Sequence, residues 1–428
     1  IRRDRLHGET WDAQEARFRA SSPYAVLMKK GDMMVNTNRR NRRRLIPWMI
    51  AGTAALAVAP LVASGGVASA APKAPKASTT VTIGVSEMLT GASEYYGNAA
   101  LTGVKLGTAY LNAHGGILGH KVVLSVQDDA SENTEAVSEV RSFAQNPAIP
   151  MVVAPTYQPN FEASCTVASS FGLPIVGAQS APLSKTDNPK NDCFVVTSNV
   201  VTQAEAALLT LKKDYGIKTV ALLYDQTNAY VSQFDPVIEG LVRKAGLKLV
   251  GNLAVTAGQT DYGPQITTLL QADPGVIVPN MVTEDAARFM SQARAEGVKG
   301  MFADLISELT NSRIYKLSNG AAKGLFAATP QSVGVATFAA FIKLYTKTYG
   351  APTDPTYAGF GYDSMMLIAR AMQKAGTVTN RSAILKALRD LPSMTGSICY
   401  TNEGGGAYLT NKVYYVTLTS SGYKPAKL

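Results

Sequence analysis

Residues 81–137 read VTIGVSEMLTGASEYYGNAALTGVKLGTAYLNAHGGILGHKVVLSVQDDASENTEAV, and the order of features within them decides the fold. Val81–Val85 is an apolar strand-like run, Asn98–Asn112 has helical apolar spacing, and Val122–Val126 is a second strand. Gly115, Gly116 and Gly119 follow the helix and precede the strand. A dinucleotide fingerprint has the opposite order, so these glycines read as a helix stop and a tight turn. His114 and His120, in the same turn, have no Cys, Asp or Glu at a metal-ligand spacing. Asp128 and Asp129 end the second strand. Neighbouring side chains on a strand point to opposite faces, so the pair is expected to cap the next helix rather than act as a catalytic or metal-binding couple.

The same alternation continues down the chain. Strand-like runs at Pro150–Val153, Pro174–Val176, Val195–Thr197, Val220–Tyr224, Leu247–Leu253, Val276–Val278 and Gly324–Ala328 are separated by amphipathic stretches. These include Thr134–Gln145, Phe161–Phe171, Ala204–Tyr215, Val231–Ala245, Asp261–Gln271, Glu284–Glu296, Ala336–Tyr349 and Tyr357–Ala375. Many strands are apolar throughout, as expected where helices cover both faces of a parallel sheet. The fold class is therefore α/β, with enough length for two doubly wound parallel-sheet lobes. In such sheets ligands sit beyond the carboxyl ends of the strands. Those loops are Ser86–Gly97, Ala154–Asn160, Gly177–Leu183, Asp225–Tyr230, Pro279–Thr283 and Asp304–Glu308. They are rich in Tyr, Gln, Asn, Ser and Thr, groups that orient a small ligand without supplying a strong nucleophile or base.

Upstream of the alternating part, the chain has a different character. Arg39, Arg40, Arg42, Arg43 and Arg44 precede a run from Leu45 to Pro72 without charge, and Ala68-Ser69-Ala70 supplies a small-x-small site. Residues 34–70 read as a secretory signal cleaved after Ala70, and 1–33 as upstream or appended sequence. An uncleaved anchor over 45–63 is the competing reading, opposed by Pro47, Pro60 and Gly65-Gly66. Ala71–Thr80 is a Pro/Ala/Lys linker. Net charge is +10, but residues 1–70 hold 12 basic and 5 acidic side chains, leaving only +3 beyond them. The basic character belongs mainly to the leader and does not indicate nucleic acid. Three cysteines remain: Cys165, Cys193 and Cys399. An oxidising compartment permits a Cys165–Cys193 disulfide, both residues lying in one expected lobe. The alternative is that all three are small buried apolar residues.

No nucleophile elbow, C-x-x-C pair or phosphate-binding P-loop occurs in the chain, so neither an enzyme nor a cofactor is expected.

Residues 81–137 resemble the N-terminal lobe of the leucine/isoleucine/valine-type solute-binding proteins of ABC importers. The resemblance rests on a strand, a Thr-Gly loop, Tyr96-Gly97, a helix with G-x-x-L-G, an N-A-x-G-G-I-x-G turn and a strand ending in Asp-Asp. FGLPIVGAQSAP, ALLYDQTNAY, SQARAEGV, AKGLFAATP and YAGFGYDSMMLIARAM extend it toward the C-terminus. It implies a type I periplasmic-binding fold. Lobe 1 would hold 81–199 and 330–398, and lobe 2 would hold 200–329 and 399–428. Hinges would lie near 198–200, 329–331 and 399–402. The resemblance makes Tyr96 and Tyr230 aromatic walls of the ligand site, and Asp304 a partner for an amino group. Where relatives hold an α-carboxylate with serines, this chain has Thr156, Tyr157 and Gln158, followed by Gln179 and Ser180 in the next loop. A small polar ligand, carrying an amide or aromatic part, therefore fits better than a branched-chain amino acid. The implied partners are that small molecule and a membrane permease with its ATPase, the binding protein itself acting as a monomer. Two other readings stay open: a ligand-sensing module of the same fold, and an exported enzyme.

Overall fold

A computed structural model describes residues 80–177, 188, 190, 192–197, 199–330, 336–352, 354–391 and 413–427. The leader, most of the linker, Gln179, Ser180 and Cys399 lie outside the described residues.

The first sheet is built from β1 (Thr80–Glu87), β2 (Lys121–Asp128), β3 (Val152–Val153), β4 (Ile175–Gly177) and β5 (Cys193–Val195). Its order is β2-β1-β3-β4-β5 and every pairing is parallel. The helices between these strands are α1 (Glu94–Ala113), α2 (Asn133–Gln145) and α3 (Gln158–Ser170). Interior strand β1 is buried along most of its length, whereas in edge strand β2 only Val122 is buried and the rest is half-buried or exposed. The continuous apolar runs of the sequence thus mark interior strands, and the weaker run marks the edge.

After α4 (Val200–Asp214) the pattern repeats with β6 (Thr219–Asp225), α5 (Ala229–Lys244), β7 (Lys248–Val255), α6 (Gly263–Ala272), β8 (Val276–Asn280), α7 (Thr283–Ala295), β9 (Met301–Asp304), α8 (Arg313–Leu317) and β10 (Phe326–Thr329). The parallel core of the second sheet runs β7-β6-β8-β9-β10, the same spatial order as the first although the two sequences show no visible repeat. The chain then returns to the first lobe as α9 (Ala336–Tyr349), α10 (Pro355–Ala375) and α11 (Arg381–Arg389). Apolar residues of these helices share one core with β1 and α1. A final antiparallel hairpin, β11 (Tyr414–Thr419) and β12 (Gly422–Pro425), extends the second sheet beside β10. Two α/β lobes result, entered alternately by the chain. Among the described residues no helix is long and apolar enough to cross a membrane.

The G-x-x-L-G step of α1 has a packing cause. A side chain on Gly103 would come within 1.8 Å of the Ala358 carbonyl oxygen of α10, and one on Gly361 within 2.0 Å of the Ala100 oxygen. The helix backbones meet there directly, which only glycine permits. Cys165 in α3 and Cys193 in β5 are fully buried and joined by a disulfide, with Cα atoms 5.9 Å apart.

Asp128 and Asp129 do not cap α2. Asp128 instead accepts from the N–H groups of Leu89, Thr90 and Ala130 at 2.9–3.1 Å and from the Thr90 hydroxyl at 2.8 Å. Slight burial opposes ionisation, but the hydrogen bonds outweigh it and hold this carboxyl below its usual range. Its function is to pin the Thr-Gly loop that leads into α1. Asp129 closes a local turn by accepting from the Ser131 N–H at 2.8 Å.

Candidate functional site

In both sheets the strand order reverses at one place, between β1 and β3 and between β6 and β8. Loops at the carboxyl ends diverge there and leave a crevice. The two crevices face one another across a cavity lined by both lobes. Met88, Ser93 and Tyr96 reach it from the β1–α1 segment, and Thr156, Tyr157 and Gln158 from the loop after β3. The second lobe contributes Asn228, Tyr230 and Val231 after β6, Met281 and Val282 after β8, and Glu308 after β9, while Tyr357 enters from the start of α10.

Five residues expected from the sequence (Tyr96, Thr156, Tyr157, Gln158 and Tyr230) are therefore brought together. Tyr96 is placed by the glycine after it: a Cβ on Gly97 would lie 2.1 Å from the Met88 carbonyl oxygen, so the α1 start can press against the end of β1. Its ring packs on Tyr357 with centroids 4.8 Å apart, and Tyr230 stacks on Phe234 at 6.0 Å. The Tyr157 hydroxyl crosses from the first lobe to the second and donates to Asn228 Oδ1 at 3.4 Å. Asn228 also caps α5, accepting from the Val231 N–H at 3.2 Å, so the helix start and the lobe contact share one side chain.

Thr156 faces the cavity but is already engaged. Its N–H and hydroxyl donate to the two carboxylate oxygens of Glu87, at 3.1 and 2.7 Å. Glu87 is almost completely buried at the end of β1, and burial pushes its pKa well above the usual range. Gln158 is 7% exposed and donates its amide to Glu162 at 2.7 Å. Its carbonyl oxygen is buried without a hydrogen-bond donor.

The expectation for Asp304 requires correction. It does not line the cavity; its carboxylate turns back into its own loop and accepts from the N–H groups of Ile306 at 3.0 Å and Leu309 at 2.9 Å. Ser307 within that loop has φ +70°, and its hydroxyl donates to the Ala328 carbonyl at 3.1 Å. The fastened turn delivers Glu308, four residues beyond Asp304, to the cavity wall. Burial first, then the neighbouring Asp304 and Asp354, push the Glu308 carboxyl up to about 8. Burial likewise raises Asp304 and Asp354, each to about 6. Asp354 is the cap of α10, accepting from the Thr356 and Tyr357 N–H groups at 3.0 and 3.1 Å. Sequence reading missed Glu308 and Tyr357. Glu308 stood inside a named ligand loop, but the left-handed turn that selects it over Asp304 leaves no periodic signal.

A second cavity adjoins the first and shares Tyr96 and Val282 with it. Arg313 of the second lobe lies there, its guanidinium 3.5 Å from the centroid of the Tyr95 ring in the first lobe and ion-paired with Glu284. This cation–π contact adds to the bridging of the lobes.

Comparison with known proteins agrees with this geometry. Residues 80–422 match the family described as periplasmic binding protein. The Leu/Ile/Val-binding protein BraC3 of Rhizobium johnstonii is 25% identical over 345 residues, covering 77% of this chain and 90% of that protein. The leucine-, isoleucine-, valine-, threonine- and alanine-binding protein of Pseudomonas aeruginosa is 21% identical, covering 77% of this chain and 87% of its own length. Among solved structures, LivJ of Streptococcus pneumoniae in complex with isoleucine superposes with a TM-score of 0.71 at 22% identity, over 82% of this chain and all of that one. LivK of Thermotoga maritima, a leucine-binding protein, gives 0.71 at 19% identity, over 81% and 98%. With a family match spanning both sheets and the cleft between them, the chain belongs to the periplasmic binding protein family.

Proposed function

We propose that this chain is the extracytoplasmic capture subunit of an ABC importer, taking up an amino acid or a related small polar organic molecule. The observation that carries this reading is a cavity walled by both lobes. A solute resting on Tyr96 and Gln158 of one lobe also touches Tyr230 and Glu308 of the other. Such a solute binds the closed arrangement more tightly than the open one, and that difference drives closure. Crossing segments near 198–200, 329–331 and 399–402 would serve as the hinge. Relatives named for leucine, isoleucine and valine binding support the amino-acid class. The engaged Thr156 favours a solute other than those three.

The contacts proposed for the solute are Tyr96, Thr156, Tyr157, Gln158, Tyr230, Glu308 and Tyr357, with Gln179 and Ser180 completing the first-lobe side. The protein acts outside the membrane after cleavage following Ala70, works as a monomer, delivers its solute to a permease and ATPase, and catalyses no reaction. Titration calorimetry across the common amino acids and their amides, with small-angle scattering of the same samples, tests this. Saturable binding with a reduced radius of gyration is expected. Absence of binding by every solute, or chemical turnover of the bound one, would refute it.

A further inference from the structure

Resting on the solute-binding reading, we propose that Gln203 is a positioning residue, fastening the solute-facing loop after β9 to both places where the chain passes between the lobes. Gln203 stands near the start of α4, 1% exposed, beside the buried Ala204, Ala207 and Leu208. Its backbone N–H donates to the Asn199 carbonyl at 2.9 Å, and Asn199 is the residue that caps α4. The chain enters the second lobe there, β5 ending at Val195 and α4 opening at Val200. The Gln203 side-chain nitrogen donates to Ser307 Oγ at 2.7 Å, to the Ala328 carbonyl at 3.0 Å and to the Leu305 carbonyl at 3.2 Å. Leu305 and Ser307 belong to the loop after β9. Ala328 is one residue short of the end of β10, from which the chain returns to the first lobe. One buried amide therefore joins the loop to the end of one crossing and the beginning of the other.

The loop held in this way has two contacts directed at the first lobe. Glu308 reaches the cavity wall. Two residues on, the Thr310 hydroxyl donates to the Ser307 carbonyl at 2.9 Å and accepts from the Thr356 hydroxyl, at the start of α10, at 3.0 Å. Ser307 is the joint between these contacts and Gln203. Its φ of +70° favours glycine, which would adopt it without strain. Serine supplies instead a hydroxyl that accepts from Gln203 and donates to the Ala328 carbonyl at 3.1 Å. A non-glycine residue keeps such a backbone only where its surroundings hold it.

Solute contact that draws Glu308 toward the first lobe then moves the loop, the start of α4 and the end of β10 as one body. The preference of the solute for the closed arrangement is delivered to the crossings and is not lost in a shifting loop. A glutamine that merely cemented the core would affect binding whether or not Glu308 is present. A positioning glutamine acts through Glu308, so its loss weakens binding only while Glu308 is there to be placed.

The test is a double-mutant cycle on the full chain, read by titration calorimetry with the tightest binder among the common amino acids and their amides. Gln203→Met keeps the side-chain length and removes the N–H groups. Ser307→Gly keeps the left-handed turn, removes the hydroxyl, and carries the same cycle should Gln203→Met fail to fold. Each is expected to weaken binding about tenfold, and Glu308→Ala about tenfold or more. Gln203→Met added to Glu308→Ala should weaken binding by no more than about threefold beyond Glu308→Ala alone. Ile266→Val, a truncation at a fully buried site in α6, controls for stability: it should lower the urea midpoint and leave binding within about twofold of wild type. Additive losses, near a hundredfold together, overturn the proposal and leave the solute-binding reading standing. So does wild-type affinity in Gln203→Met, Ser307→Gly or Glu308→Ala, or a loss in Ile266→Val as large as theirs. No binding of any amino acid or amide overturns the solute-binding reading and this proposal with it.

Discussion

Replacing Gly103 with alanine should destabilise the first lobe, although the same change in most helices does the reverse. In an exposed helix interior, Gly→Ala gains about 1 kcal/mol through lower backbone entropy and better propensity. Here the added methyl would stand 1.8 Å from the Ala358 carbonyl oxygen, 2.7 Å from its carbon and 2.9 Å from the Tyr362 nitrogen. All three are backbone atoms, so no rotamer change relieves the clash. Ordinary contact returns only if α1 and α10 part by roughly 1.5 Å. Fifteen residues of α10 are buried, and separation loosens their packing along the whole crossing. Overpacking costs about 1–3 kcal/mol, and rigid backbone on both sides places this case at the top of that range. After subtracting the helix gain, the net loss is about 2 kcal/mol. Gly240 supplies the control. It sits exposed in α5, with no atom within 4 Å of the place an added methyl would take, and Gly240→Ala should stabilise by about 0.5–1 kcal/mol. Urea unfolding followed by circular dichroism reads both variants, and hydrogen exchange assigns the loss to the first lobe. Gly103→Ala unfolding at or above the wild-type midpoint, with Gly240→Ala behaving as stated, would refute the reasoning.

Reducing the Cys165–Cys193 bond, which closes a separation of 28 residues, should cost roughly 3–4 kcal/mol by loop entropy, read as a lower urea midpoint in the presence of a phosphine reductant. The pH dependence of stability has a definite sign. Glu308, Asp304 and Asp354 bind protons more tightly folded than unfolded, so their contribution is complete only below the ordinary carboxyl values of 3.8 to 4.5 and is lost as pH rises toward 8. Glu308→Gln should flatten the upper part of that decline, between pH 5 and 8. Parallel slopes for variant and wild type would show that Glu308 keeps an ordinary carboxyl. Arg381 donates to the carbonyl oxygens of Phe143, Ala144, Asn146 and Ile149 and so closes the end of α2. Arg381→Lys should lose about 1–3 kcal/mol in thermal or urea unfolding, because an ammonium cannot span four acceptors as a planar guanidinium does.

The alternation of apolar runs and amphipathic stretches was legible because interior strands are covered on both faces. Val276–Val278 and Phe326–Ala328 are apolar throughout for that reason. Strand β9 and the final hairpin escaped. In β9 the charged Asp304 follows only three apolar residues, and the β11–β12 hairpin pairs antiparallel at the sheet edge with half-exposed positions that imitate a loop. Tyr96 and Tyr230, singled out by the family resemblance, both line the cavity. Asp304 and Glu308 show the limit. Both are acidic and both follow β9, but which one faces the cleft depends on a left-handed Ser307 and two backbone hydrogen bonds. Asp128 escaped for a related reason: its partners Leu89 and Thr90 lie nearly forty residues away in sequence and adjacent only in the sheet.

The central claim is that the two lobes capture a solute without transforming it. Mass spectrometry of small molecules released by denaturing the purified protein tests this most directly, followed by returning the released compound to fresh protein. The account predicts one small organic solute, near one per chain, recovered unchanged and able to compact the protein on re-addition. Recovery of a chemically altered product contradicts the account, as does protein that yields no solute and responds to none supplied.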